Sequence, residues 1–292
     1  MSFLWRTHDG EERRAHAWAS KHCRAVVACV HGLSGSGEQF EPLPERLREF
    51  SFYALDLRGQ GRDPVADRRG MALDVEAQLL DIASFVAALR SDHGDTPVFL
   101  LGESMGALLS ANYASRVRSG ESAVDGVVMS VPVVGLRREV PRFAKRALAW
   151  LAGVFPRTKL PPSRFVNGKS FAPPLTRDTA YQEALRQKPH HIRDYSLRFL
   201  SELGELIDGS HAVAEKVEHP LLVLSAGRDC FVGPHQIERW FDRVSSPDKT
   251  LHHYPEAYHL LWHDWDREEV VADLGGWLEG RLKRVCGTPT RN

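Results

Sequence analysis

The sequence predicts an α/β fold: a mostly parallel central sheet with helices on both faces and a helical lid inserted into it. Three observations predict it. Short apolar runs alternate with amphipathic stretches along most of the chain, the rhythm of a parallel sheet covered on both faces. One such run, Val98 to Leu101, leads into Gly102-Glu103-Ser104-Met105-Gly106 and then into a helical stretch from Ala107 to Tyr113. Between Pro132 and Leu206 the rhythm breaks for roughly seventy residues, and structureless loops of that length are uncommon in compact domains. The expected division is a core domain of residues 1–132 and 207–292 and an inserted lid of residues 133–206.

Residues 1–20 read as two short strands around the turn His8-Asp9-Gly10. Arg24 to Val30 is a more buried strand that runs into His31-Gly32-Leu33-Ser34-Gly35-Ser36-Gly37. Such a loop can cradle phosphate, but it lacks the Lys-Ser/Thr of a P-loop. Helical periodicity covers Phe40 to Phe50, and Ser51 to Leu57 is the next strand. Asp56-Leu57-Arg58-Gly59-Gln60-Gly61-Arg62-Asp63 reads as a structural turn. Leu73 to Leu89 is a long helix with Val75, Leu79, Ile82, Phe85 and Leu89 on one stripe. Ala123 to Val131 is a strand.

The lid segment holds Pro141, Pro156, Pro161, Pro162, Pro173 and Pro174, the pair His190-His191, and a helix near Ser196 to Ile207. Its one amphipathic stretch carries Phe143, Ala147, Leu148, Leu151, Val154 and Phe155. The strand and helix rhythm then resumes. His219 to Gly227 is a strand ending in a turn, Ile237 to Val244 a helix, Lys249 to Tyr254 the last strand and Arg267 to Leu282 a closing helix. The tail Gly287 to Asn292 is expected to fray.

Composition narrows the function classes. The chain has 292 residues and 42% hydrophobic content, enough for a sizeable core. Lys plus Arg and Asp plus Glu both number 38, so no global basic field points to nucleic acid. Cys23, Cys29, Cys230 and Cys286 form neither a Cys-x-x-Cys pair nor a metal-ligand spacing, which suits free thiols in a reducing compartment. The first residues have no long apolar signal region, and no apolar run reaches transmembrane length. A cytoplasmic protein is expected, with room for peripheral membrane contact through the lid.

The chemistry starts at Ser104. Strand, sharp turn and helix is the context in which Gly-x-Ser-x-Gly forms a nucleophile elbow. Gly102 and Gly106 have no Cβ to clash where strand and helix pass closely. The N–H of Met105, opening the helix, then faces a developing oxyanion, and by position the loop after Val30 supplies a second donor from Leu33. A serine hydroxyl needs a base, and the base an orienting acid. In this architecture they follow in the order Ser, Asp or Glu, His. Asp229 sits just past the strand ending at Ala226, and His259 follows the final strand, 30 residues later. That is room for one helix and one strand. Asp264 and Asp266 come after the histidine, and His252 and His253 lie inside the last strand. His259 and His263 have an i, i+4 metal-ligand spacing, but the Glu of His-Glu-x-x-His and a third ligand are missing. His31 reads as structural, and Cys230 as a buried spectator.

These motifs together resemble a known family. His31-Gly32-Leu33, Asp56-Leu57-Arg58-Gly59-Gln60-Gly61, Gly102-Glu103-Ser104-Met105-Gly106, Gly227-Arg228-Asp229 and Tyr258-His259 are similar to the α/β-hydrolases of the monoacylglycerol lipase, lysophospholipase and serine aminopeptidase type. The likeness runs over nearly the whole chain. It implies Ser104 as nucleophile, His259 as base, Asp229 as orienting acid and the Leu33 and Met105 N–H groups as oxyanion hole, with no cofactor and no metal. Two departures stand out. The family's loop usually continues His-Gly-x-Gly-Glu-His, where this chain has His-Gly-Leu-Ser-Gly-Ser, and the usual Ser after Gly61 is replaced by Arg62-Asp63. The expected activity is ester hydrolysis on monoacylglycerol or lysophospholipid, with small soluble esters next. The rivals are an aminopeptidase in which Glu202 and Glu205 bind the substrate amine, a haloperoxidase-like or C–C bond hydrolase using the same triad, and a noncatalytic binding protein. Dehalogenases and epoxide hydrolases of this fold use an Asp nucleophile, which Ser104 argues against.

Overall fold

The computed structural model describes residues 1–120, 123–161 and 174–286. Pro162, Pro173, the side chain of Cys286 and the tail from Gly287 lie outside the described residues. In chain order the first half runs β1 (Ser2–Arg6), β2 (Glu12–Trp18), β3 (Ala25–Val30), α1 (Pro42–Arg46), β4 (Phe50–Leu55), α2 (Val75–His93), β5 (Val98–Glu103), α3 (Met105–Ala114) and β6 (Gly126–Ser130). The segment that follows carries α4 (Arg142–Val154), β7 (Lys159–Leu160), α5 (Thr179–Gln187), β8 (Tyr195–Ser196) and α6 (Leu197–Ala214). The chain closes with β9 (Leu221–Ala226), α7 (Pro234–Asp242), β10 (Lys249–Tyr254) and α8 (Arg267–Cys286).

Eight strands form one sheet in the order β1-β2-β4-β3-β5-β6-β9-β10. β1 and β2 pair antiparallel, as does β2 with β4, and from β4 to β10 every pairing is parallel. The inner strands are buried on both faces, so they read as continuous apolar runs rather than alternating ones. Along β3, Val26, Ala28 and Val30 join the core cluster beneath α2, α3, α6 and α7. Ala25, Val27 and Cys29 point the other way, into the cluster beneath α1 and α8. The strand order reverses around β3: β4 follows it in sequence on one side and β5 lies on the other. Loops leaving the carboxyl ends of strands diverge at such a point and open a crevice.

Two expectations shift. The helix expected over Phe40 to Phe50 is a short 3-10 turn, Gly37–Phe40, followed by the five residues of α1. Phe40, Leu43 and Phe50 are buried in the same core cluster, which is why their spacing imitates one helix. Phe50 instead opens β4, because its backbone pairs with Ala25 of β3. The segment between β6 and β9 contains a minimal strand pair, Lys159↔Ser196 and Leu160↔Tyr195, where no strand was expected. Its last helix, α6, runs past Leu206 to Ala214 and buries Phe199, Leu200 and Leu206 in the core. Among the described residues no helix is long and apolar enough to cross a membrane.

Candidate active site

The elbow is built as its glycines require. Ser104 takes φ 56° and ψ −115°, a strained conformation for a residue with a side chain. Its N–H donates to Ser130 O of β6 at 2.9 Å. A Cβ on Gly102 would lie 2.3 Å from Gly106 O, and one on Gly106 would lie 2.2 Å from Val30 O. Strand β5, helix α3 and the end of β3 therefore touch backbone to backbone, and only glycine permits it.

Asp229 and His259 arrive on two loops fastened to each other. Gly227 N–H donates to Tyr254 O and Arg228 N–H to Ala257 O, each at 2.9 Å. A Cβ on Gly227 would stand 2.1 Å from Pro255 O. This crossing sets Asp229 beside His259. His259 Nδ1 lies 2.7 Å from Asp229 Oδ2, and His259 Nε2 lies 3.0 Å from Ser104 Oγ. A carboxylate only accepts, so Nδ1–H donates to Asp229 and the bare Nε2 accepts from the Ser104 hydroxyl. Asp229 Oδ1 accepts from the Phe231 N–H at 2.7 Å and the Val232 N–H at 3.3 Å. The ring of Phe231 stands edge-on to the imidazole at 4.8 Å. All three side chains are buried. Burial works against a charged His259, but the Asp229 carboxylate, its hydrogen bond and the nearby Glu103 outweigh it and raise the imidazole above its ordinary value.

Met105 is the first residue of α3, so its N–H has no acceptor within the helix. Leu33 follows Gly32, where an added Cβ would lie 3.1 Å from Ser104 Cβ. Neither N–H has a hydrogen-bond acceptor among the described residues. The departure at Ser34 has a structural use. Ser34 holds the left-handed conformation at φ 62°, and its hydroxyl is 2.9 Å from both Ile192 O and Tyr195 Oη. The loop next to the elbow is thereby tied to the segment before α6.

The competing side chains have other employment. His31 Nε2 accepts from Leu57 N–H at 3.0 Å while Nδ1 donates to Gly32 O, a structural staple. His263 donates to Gln39 O at 2.7 Å and stacks on Tyr181 at 3.8 Å. It does not converge with His259 on a shared site. His252 and His253, within β10, meet Asp273 and Ser225 instead. Asp56 accepts from Gly37 and Arg62 N–H groups, which explains its Gly-punctuated loop as a turn. Burial pushes the Cys230 thiol up to about 12 and the Cys29 thiol well above its ordinary value, so neither is a ready nucleophile. His8, Asp9 and Asp81 converge as potential metal ligands, but Arg58 donates to both carboxylates.

Comparison with known proteins identifies the architecture. The family model described as serine aminopeptidase, S33, matches residues 21–266. The chain belongs to this family. A phospholipase of Bacillus subtilis is 27% identical over 256 residues, 87% of this chain and 94% of that protein. A monoacylglycerol lipase of Mycolicibacterium smegmatis is 28% identical over 265 residues, 89% of each chain. Among solved structures, monoacylglycerol lipase from Paleococcus ferrophilus superposes with TM-score 0.77 at 24% identity, covering 93% of this chain and all of that one (100%). A soluble variant of the monoglyceride lipase of Saccharomyces cerevisiae, bound to a substrate analog, gives TM-score 0.81 at 21% identity, covering 96% and 95%. The fold is that of the α/β-hydrolases.

Two residues around the triad of this S33 chain were not legible as site residues. Asp264, set aside as a competing acid, is fully buried and anchors the His259 loop. It accepts from Tyr258 N–H at 2.7 Å, from Arg177 N–H at 2.9 Å and from the Arg177 guanidinium at 3.0 Å. Glu103, the variable position of the elbow motif, is buried and accepts from Gln39 Nε2. Burial pushes its carboxyl up to about 7, against the opposing pull of His259 and Gln39. The sequence signal for Glu103 was its place beside Ser104. For Asp264 there was none, because its partners come from elements far away in the chain.

Proposed function

We propose that the protein is a serine carboxylic-ester hydrolase working through Ser104, His259 and Asp229. The observation that carries the reading is the continuous hydrogen-bond chain from Ser104 Oγ through His259 to Asp229. Ser104 attacks the ester carbonyl as His259 Nε2 takes its proton, and Asp229 balances the imidazolium. The Leu33 and Met105 N–H groups receive the oxyanion, donors of a kind worth about 3 kcal/mol each. His259 returns the proton to the leaving alcohol. Water then opens the acyl-enzyme by the same steps in reverse.

Residues 133–206 serve as the lid in this reading. Monoacyl lipids are the substrate class, by analogy with the phospholipase and the monoacylglycerol lipases the chain is similar to. A cavity of about 560 Å³ is lined by Glu38, Arg62, Arg69, Lys188, Pro189 and His190. Arg62 and Lys188 both pair with Glu38, and Arg69 donates to Gly61 O and His190 O, so its lining is held by its own contacts. Monoacylglycerol and lysophospholipid are the two head groups of this reading. The aminopeptidase alternative needs Glu202 and Glu205 free to hold an amine. Glu202 instead bonds Arg198 and accepts from the Leu73 and Asp74 N–H groups.

The test is turnover of nitrophenyl esters from acetyl to palmitoyl, run beside Ser104→Ala. The wild type should be active with a medium-to-long chain optimum and the variant reduced by at least about a thousand-fold. Equal inertness of both toward every ester sinks the reading, and aminoacyl arylamides would be assayed next.

A further inference from the structure

We infer that Glu103 is a positioning residue of this site: it locks the loop of Leu33 to the elbow through Gln39 and supplies a second negative charge to the His259 imidazolium. The inference rests on the hydrolase reading above.

Glu103 closes β5 immediately before Ser104, and its side chain is buried. One carboxyl oxygen accepts from Gln39 Nε2, a residue of the 3-10 turn that follows the Leu33 loop. The Gln39 side chain also packs against Gly35, where an added Cβ would meet its Oε1 at 2.2 Å. The second oxygen, Oε2, is buried, and the buried Trp262 Nε1–H faces the carboxyl as a further donor that favours its charged form. The titratable groups facing Glu103 are Cys29 from β3, Tyr181 from α5 and His259 from the loop after β10. Burial keeps the first two neutral by raising both. Among the described residues neither Lys nor Arg bonds Glu103. Its cationic partner is therefore His259, once that residue takes the serine proton.

A neutral side chain could fill this space without the cost of burying a carboxylate. The charge has a use at the moment the imidazolium forms, because a low-dielectric site strengthens the attraction. Glu103 ionises near neutrality, so it is charged over the alkaline half of the working range.

Glu103→Gln keeps the shape and an acceptor for Gln39 while removing the charge. On a nitrophenyl ester at pH 8 its kcat should fall about ten-fold with KM unchanged. The acid limb of its kcat/KM profile should move to lower pH, since His259 loses a neighbour that raises it. Glu103→Asp should recover part of the shift. An acid limb and a kcat at pH 8 equal to wild type overturn the inference. A wild type inert toward esters would instead overturn the hydrolase reading. Nitrogen-15 NMR of the His259 ring answers without turnover: its titration should move to lower pH in Glu103→Gln, or in Glu103→Ala where the Gln variant fails to fold. A His259 titration unmoved in the folded variant overturns the inference.

Discussion

Ser104 stores strain that its neighbours hold in place. Its φ of 56° persists because β5, α3 and the end of β3 pack backbone to backbone at Gly102 and Gly106. Gly106→Ala puts a Cβ 2.2 Å from Val30 O, and the contact is with backbone that cannot turn aside. The expected cost is about 1–3 kcal/mol in urea unfolding, with loss of ester turnover as the elbow shifts. Gly209→Ala is the contrast. Its Cβ would meet nothing within 4 Å on helix α6, so it should stabilise by about 0.5–1 kcal/mol. In the proposed mechanism His259 must be neutral to accept the serine proton, and its surroundings raise it above the ordinary 6.5. The kcat/KM for an ester should therefore fall as pH drops through a value above 6.5. A limb at or below 6.5 would contradict the electrostatics of Asp229 and Glu103 around the imidazole.

At the scale of elements, the site depends on loops clamped from outside the sheet. Asp264 joins the His259 loop to the segment before α5: Thr176 Oγ1 donates to His263 O at 2.6 Å, and Arg177 reaches both Asp264 and Asp266. Removing Asp264 leaves the Tyr258 and Arg177 N–H groups without their acceptor and the Arg177 guanidinium with Asp266 alone. Asp264→Ala should cost roughly 3 kcal/mol and lower kcat by loosening His259, read from urea midpoints and ester turnover. The clamp is also acid-sensitive. Burial pushes the Asp264 carboxyl up, but Arg177 and the N–H groups of Tyr258 and Arg177 outweigh it and hold it below its ordinary 3.8. A depressed carboxyl stabilises the fold above its unfolded value, and that contribution is lost as pH falls below 3.8 toward the folded value. The urea midpoint should drop less across that window in Asp264→Ala than in wild type. None of this was visible in the elements as written in the sequence. Asp264 and Arg177 are 87 residues apart, and no local pattern links them.

On the scale of the molecule, the sheet brings Leu33, Ser104, Asp229 and His259 to the carboxyl ends of β3, β5, β9 and β10, beside the point where strand order reverses. Helix α4 packs on α6 by one face and leaves the other exposed. Leu148 packs against the core, while Phe143 and Trp150 are 76% and 66% exposed and Val154 and Phe155 about half so. Arg142, Lys145 and Arg146 share the helix. Exposed aromatics with flanking cations suit the interface of an anionic bilayer. Phe143→Ser with Trp150→Ser should weaken partition onto anionic vesicles by about ten-fold or more while turnover of a short soluble ester stays within two-fold. Equal vesicle binding would mean that α4 does not carry the contact.

The sequence by itself determined the alternation of strands and helices, the elbow and the places of Asp229 and His259 after the strands that follow it. These are legible because they are local: side-chain periodicity, a glycine where two backbones touch, a polar residue just past a strand. Tertiary structure alone decided the rest. It ended the helical pattern at α1, because Phe50 pairs with Ala25. It gave Ser34 a role in holding the segment before α6, and it made Asp264 a clamp and Glu103 a neighbour of His259. Glu103 and Gln39 are 64 residues apart, and their meeting depends on which strand ends the sheet brings together. A hydrogen bond or a buried charge is set by distance in space, and only the folded sheet supplies that distance.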